Sequence, residues 1–369
     1  MEYRPFGNTG VSISRLGFGT MRLPMIEVNG KKVIDEDAAI PMLHRSLELG
    51  VNYWDTAYFY CDHLSEYTVG KALKGVRDKV ILSTKYPFDK PYREQLEEQL
   101  TKLDTDYIDF YHFHGIGAGV FEHKFYDDAI KGMAKAKEEG LIRHISFSFH
   151  DKPEVMDKII DVGIFETVLC QYNILDRGNE EAMARAKARG LGVVVMGPVG
   201  GGRVAGLPLE VAEKAGVKVA SSAELALRFV FANPNVDCAI SGMSTLEMLE
   251  QNAATASNVA PLSADEVAGI NAAMEENKRL ADLYCTGCNY CLPHCPHEVN
   301  ISRAFQAMNY LRIYGLKDFA QRHYDAIGTE WVKGAKADAC ELCGECEMHC
   351  PQKIDIREQL ADCLAAFGS

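Results

Sequence analysis

Two cysteine runs, CTGCNYCLPHCP at Cys285–Pro296 and CELCGECEMHCP at Cys340–Pro351, set the strongest constraint on this chain. Each reads C-x2-C-x2-C-x3-C-P, four thiols within eleven residues and then a proline. A cubane iron–sulfur cluster takes four soft thiolate ligands, and this spacing wraps three of them round one corner of a cluster. Structural zinc is satisfied by two C-x2-C pairs. A third close cysteine and a Cys-Pro ending, both repeated, exceed that need. The chain is therefore expected to hold two clusters in residues 283–369, with structural zinc the weaker alternative.

Residues 283–369 resemble the two-cluster (4Fe–4S) bacterial-type ferredoxins. In that family the fourth cysteine of each run crosses to the other cluster. The resemblance thus implies Cys285, Cys288, Cys291 and Cys350 as one ligand set, and Cys340, Cys343, Cys346 and Cys295 as the other. Residues 296–339 exceed what a compact ferredoxin uses between its runs. There Ile301, Phe305, Met308 and Leu311 recur at helical spacing, and Lys317–Ile327 continues helically after Gly315. A further helix is expected at Asp355–Phe367, so the ferredoxin-like domain, 283–369, reads as small and α-helical. Ser263–Glu266 is a capping box opening a linker helix within 261–282, with Val267, Ile270 and Met274 on one face.

The remaining 1–260 alternates short apolar runs with amphipathic stretches. Strands are predicted at Leu16–Thr20, Val51–Asp55, Val80–Lys85, Tyr107–His114, Arg143–Ser148, Thr167–Tyr172, Gly192–Met196 and Asp237–Ser241. Helices are predicted at Glu36–Leu49, Ser65–Leu73, Tyr92–Leu103, Tyr126–Glu139, Pro153–Asp161, Asn179–Arg189, Ala220–Phe231 and Thr245–Ala256. Eight strand–helix pairs in about 250 residues define an α/β chain with a (β/α)8 TIM barrel; an open doubly wound sheet gives no reason for eight regular units. Residues 2–15 read as a hairpin, turning at Gly7–Gly10, that plugs the barrel floor. The longest loops near the mouth, Met21–Val33 and Gly115–Phe125, are expected to line a substrate pocket.

In such barrels chemistry sits where strands end. Strand two ends in Asp55 with Tyr60 on its loop, strand three in Lys85, and strand four in His114, with Phe110 and His112 on the same face by alternation. Singly, each has a structural explanation: a helix cap, a solvated lysine, a satisfied core Tyr or His. Together on consecutive strands they form a proton-transfer set. Lys85, paired with Asp55, is expected to lower the Tyr60 pKa, so that Tyr60 protonates a carbonyl oxygen while His114 orients it.

The segments GNTGVSISRLGFGT, WDTAYFY, LSTKYP and DTDYIDFYHFH, in that order, resemble the aldo-keto reductase superfamily over residues 2–257. The resemblance implies a TIM barrel, a nicotinamide cofactor and the catalytic tetrad Asp55, Tyr60, Lys85 and His114. Its cofactor positions are partly changed. The family's Ser-Asn pair after strand five appears as Ser148 and Phe149, followed by His150. Its strand-six glutamine position holds Leu169, with Gln171 two residues on, and its strand-seven tyrosine position holds Met196. The glycine-rich Gly197–Gly206, with Gly200 and Arg203, could receive a pyrophosphate. Ile240–Asn252 resembles the adenosine-binding segment, with Gln251 and Asn252 as adenine contacts. It lacks the basic residues that NADP(H)-selecting relatives carry near Gly242 and Met248, which favours NAD(H) over NADP(H).

A net charge of −13 offers no basic stripe for nucleic acid. No run has the length of a membrane span, and MEYRPFGNTG lacks the parts of a signal peptide. The scattered Cys61, Cys170, Cys238 and Cys363 read as free thiols of a reducing cytoplasm. The leading expectation is an oxidoreductase that reduces a carbonyl or oxidises an alcohol. Tyr60 is its general acid, and the clusters are its electron carriers, with an electron-transfer protein as a partner. Nicotinamide moves two electrons and each cluster one; a flavin could couple them, but no flavin motif is present. Two other classes stay open: a ferredoxin-linked reductase that does not use NAD(P)H, and an electron-transfer adaptor with a non-catalytic barrel.

Overall fold

The computed structural model describes residues 1–199, 209–257, 261–282, 285, 289, 291–312, 315–350 and 354–368. Gly200, Arg203 and Cys288 lie outside them. The chain divides into two compact units, Met1–Gly201 with Ala223–Ser263, and Gly202–Ser222 with Ala264–Ser369.

The first unit opens with a hairpin, β1 (Tyr3–Pro5) against β2 (Ser12–Ser14). Eight parallel strands then close a barrel in the order β3 (Leu16–Gly19), β6 (Tyr53–Asp55), β7 (Ile81–Tyr86), β8 (Ile108–Ile116), β9 (Ile142–Phe149), β10 (Thr167–Gln171), β11 (Gly192–Met196) and β12 (Cys238–Gly242). Helices follow the strands: α1 (Glu36–Glu48), α2 (Ser65–Leu73), α3 (Tyr92–Leu103), α4 (Tyr126–Glu138), α5 (Pro153–Ile160), α6 (Glu180–Ala188), α8 (Ser222–Ala232) and α9 (Leu246–Ser257). Local chemistry explains several of these boundaries. Asp35 caps α1 by accepting from the Ala38 amide, and Pro153 opens α5 where its missing N–H is no loss. Val193, Val194 and Val195 of β11 are fully buried, as a strand covered on both faces requires.

The floor is plugged as expected. The Phe6 ring lies 4.8 Å from Phe110 and 6.2 Å from Tyr53, within a buried layer completed by Ile13, Leu169, Val194 and Cys238. A Cβ at Gly192 would strike that ring, so glycine there makes room for the plug. The loop Met21–Val33 is not irregular. It folds into a second hairpin, β4 (Met25–Val28) and β5 (Lys31–Ile34), over Asn29–Gly30, both left-handed.

In the second unit α7 (Glu210–Lys214) packs on α10 (Ala264–Asp282), where Ile270 is fully buried. The core of the cluster region is built from α11 (Ile301–Arg312), α12 (Lys317–Asp325) and α14 (Ile356–Phe367). It buries Val299, Ile301, Phe305, Tyr324, Leu360 and Cys363 together with Cys291, Cys346 and Cys350. A short α13 (Glu345–Met348) carries Cys346. The helical expectation for this region holds.

Candidate active site and cluster ligands

Asp55, Lys85 and His114 come from β6, β7 and β8, three neighbours in the barrel. Register sets Asp55 beside Ser83 and Lys85 beside His112, so the first two side chains meet at the mouth. Lys85 Nζ donates to both Asp55 carboxylate oxygens at 2.8 Å and to the Thr56 carbonyl at 2.6 Å. Ser83 Oγ donates to Asp55 Oδ1 at 2.6 Å. Lys85 is 1% exposed and Asp55 3%, so neither charge is solvated by water. Burial pushes the Lys85 ammonium down, but the charge and hydrogen bonds of Asp55 outweigh it and the net direction is up. Lys85 stays charged.

Tyr60 stands on the loop after β6, half-buried, with its ring centroid 4.8 Å from Lys85 Nζ. Its ring meets His114 edge-on at 6.2 Å. The phenol departs from the sequence expectation: burial pushes its pKa up, Lys85 pulls it down, and burial wins. The resting hydroxyl therefore keeps its proton, and Lys85 limits the rise instead of producing a phenolate. The His114 imidazole is held down to about 3, by burial first and then by Lys85 and His150, and is neutral. His112 beneath it, fully buried, is also held to about 3 by burial and Lys85.

Asp55, Tyr60, Lys85 and His114 lie together at the barrel mouth. Some of their surroundings were not foreseen. Ser83 was detectable, since it lies two residues before Lys85 and so on the same strand face. Phe59 stacks on His114 at 6.1 Å, yet is 48% exposed at the mouth. Phe88 is left-handed, with φ +61°, and packs on Tyr86, Phe113 and His123. Directly after Tyr60, Cys61, Asp62 and His63 are all left-handed, with φ of 52°, 53° and 66°. Such residues cost roughly 1–3 kcal/mol each and cluster at functional sites. No composition rule would flag the run.

The proposed nicotinamide contacts stand at the next strand ends. Ser148 accepts from the Gly115 amide at 2.6 Å and reaches the Phe113 carbonyl at 3.4 Å, so its hydroxyl already ties down β8. Gln171 and Met196 are register partners at the ends of β10 and β11. The Gln171 amide lies over Gly197, where a Cβ would come 2.5 Å from Nε2. His150 is exposed just beyond β9. On α9, buried Asn252 donates to Ser241 Oγ at 3.2 Å, and exposed Gln251 donates to Glu247 at 3.0 Å. Two polar side chains that a carboxamide could pair with, Ser148 and Gln171, stand at this edge, both already in contact with neighbouring backbone.

In the second unit the donor chemistry suits clusters. The buried Cys346 thiol is pushed up to about 11, first by burial, then by Glu347 and by neighbouring Cys295, Cys340 and Cys343. Those three are the cysteines that the ferredoxin resemblance groups with Cys346. His294 and His349, each preceding the last cysteine of a run, stack at 3.4 Å and 8°. The two runs therefore meet beside Cys295 and Cys350. The Val299 amide donates to Cys295 Sγ at 3.4 Å, a bond of the kind that tunes cluster potentials. Cys285 packs on the core that buries Cys291 and Cys350, and Cys343 is exposed. Among the described residues no three His, Cys, Asp or Glu side chains converge on one metal-ion position, so this grouping is one of proximity, not closed coordination.

The barrel and the paired cysteine runs each match a known family. The chain matches the aldo/keto reductase family over residues 15–215 and 208–275, and a 4Fe-4S dicluster domain over 284–354. It belongs to the aldo/keto reductase family and carries a 4Fe–4S dicluster domain. It is similar to the uncharacterized oxidoreductase YqkF of Bacillus subtilis, 29% identical over 304 residues, covering 72% of this chain and 94% of that one. It is 28% identical over 313 residues to L-galactose dehydrogenase of Arabidopsis thaliana, covering 76% and 96%. Among solved structures, the holo form of aldo-keto reductase AKR11C1 from Bacillus halodurans superposes with TM-score 0.64 at 30% identity, covering 74% and 96%. An aldo/keto reductase from Klebsiella pneumoniae in complex with NADP and acetate gives 0.59 at 25% identity, covering 72% and 93%.

Proposed function

We propose that the chain reduces a carbonyl, or in reverse oxidises an alcohol, with Tyr60 as general acid. The observation that carries this is the buried Lys85–Asp55 pair set against a protonated Tyr60 phenol. A substrate oxygen between Tyr60 and His114 accepts the Tyr60 proton. The Lys85 charge stabilises the phenolate left behind, and Asp55 keeps Lys85 in place. Neutral His114 can donate one hydrogen bond that orients that oxygen, and Phe59 stacks on its ring as an aromatic wall. Gln171, Met196 and Ser148 would hold the nicotinamide, with NAD(H) favoured over NADP(H); Gln251 and Asn252 would face its adenine. A nicotinamide supplies hydride when bound, and clusters held by the eight cysteines of the two runs supply single electrons.

An electron-transfer protein is the partner this implies. The described cysteines are free thiols, which suits a reducing cytoplasm, and no described helix is long and apolar enough to cross a membrane. The engaged Ser148 hydroxyl favours a second reading, a ferredoxin-linked reductase that does not use NAD(P)H. Anaerobic titration of NADH and NADPH into cluster-loaded protein, followed by visible absorbance, separates them. Binding of NADH with bleaching of the clusters supports one redox circuit. Binding without bleaching means that the clusters are structural or take electrons only with substrate present, and no binding leaves the ferredoxin-linked reading.

A further inference from the structure

Two glycines face each other at the barrel mouth. Gly19 ends β3, Gly242 ends β12, and they are register partners in the ladder. Gly242 does not have the positive φ that would call for glycine. The Arg22 side chain lies close against it: a Cβ there would stand 3.0 Å from Arg22 Cδ and 3.2 Å from Arg22 Cβ and Cγ. The arginine stem thus lies across the end of β12.

The stem is held from below. Arg22 closes the 3-10 turn Thr20–Arg22 that leaves β3. Thr20 Oγ1 donates to the Asp55 carbonyl at 3.0 Å and accepts from Ser65 Oγ at 2.7 Å, while the next residue, Leu23, is 2% exposed. The guanidinium at its tip is exposed and, among the described residues, makes no hydrogen bond or ion pair. Arg45, Arg93, Arg185 and Arg189 all hold carboxylates on the same unit. In a chain of net charge −13, a guanidinium kept clear of carboxylates remains available to an anion, and its planar fork matches phosphate.

We infer that Arg22 is a phosphate-binding residue of the dinucleotide site, reaching from the β3 turn to the place beside Gly242 where the β12–α9 segment has no cation of its own. The inference rests on the dinucleotide reading above. The pyrophosphate, common to both cofactors, and the 2′-phosphate of NADP(H) share the chemistry that Arg22 would recognise.

The test is equilibrium titration of NADH and NADPH into full-length, cluster-loaded wild type, R22A and R22K, at low and high salt. One charge-assisted contact predicts affinity weakened about ten- to a hundredfold in R22A, a shallower salt dependence, and partial recovery in R22K. An equal loss for both cofactors assigns the pyrophosphate, and a loss for NADPH alone assigns the 2′-phosphate. R22A that binds both as wild type does overturns the assignment alone. Wild type that binds neither cofactor removes the dinucleotide reading, and the assignment with it.

Discussion

Replacing Lys85 by Met tests the electrostatics of the site most sharply. The ammonium is enclosed by two carboxylate oxygens and one carbonyl, all within 2.8 Å, and is 1% exposed. Without it, Asp55 keeps the hydrogen bond from Ser83 and, at 3% exposure, little water. Removing one partner of a buried pair costs about 3–5 kcal/mol because the other charge is stranded. For a unit of this size each kcal/mol moves Tm by roughly 2–4 °C, so K85M should melt about 6–20 °C lower at neutral pH. Part of that loss should return in acid, where the stranded carboxyl can protonate. The double variant K85M/D55N should be less destabilised than the sum of its singles, by about 2 kcal/mol or more. Thermal unfolding of the four proteins gives the comparison. A K85M protein within about 1 kcal/mol of wild type would mean that the pair is not stranded by the loss, and would refute this reasoning.

Two further outcomes follow from the same geometry. His114 is held to about 3, against 6.5 for a free imidazole, so between those values the unfolded chain binds the extra proton and stability falls as pH falls. H114N should flatten that acid slope by at most about 1.4 kcal/mol per pH unit, read from urea midpoints across the window. In the cluster unit, C295A should damage the cluster of the other run, leaving about half the iron and an intact signal from the Cys285 set. Loss of the Cys285 set instead, seen by electron paramagnetic resonance, would mean that the runs do not cross.

Much of this was legible in the residues. Strand and helix centres follow from apolar periodicity, and the tetrad from polar residues at consecutive strand ends. The cysteine spacing points to a dicluster domain, and residues 284–354 match one. Several features required the third dimension. β8 runs past His114 because Ile116 regains pairing with Phe149 after an irregularity at Phe113. The Asn29–Gly30 hairpin carried a local turn signal, but exposed flanks, Met25 to Val28, gave no alternation to support it. The direction of the Tyr60 shift depends on how burial and Lys85 balance, which spacing cannot weigh. Arg22 meets Gly242 only through the register of β3 with β12, 220 residues apart in the chain.

Tyr60→Phe tests the proposed proton donation by Tyr60 most directly. The variant removes one oxygen and keeps the ring beside Lys85 and His114. Turnover should be followed on whichever of a panel of aldehydes and ketones the wild type reduces best, with dinucleotide affinity measured alongside. The account predicts kcat/KM lower by roughly 10²–10⁴, the contribution of a positioned general acid, with affinity unchanged. A Tyr60→Phe protein that turns over as fast as wild type would contradict it, and the acid would have to be sought elsewhere at the barrel mouth.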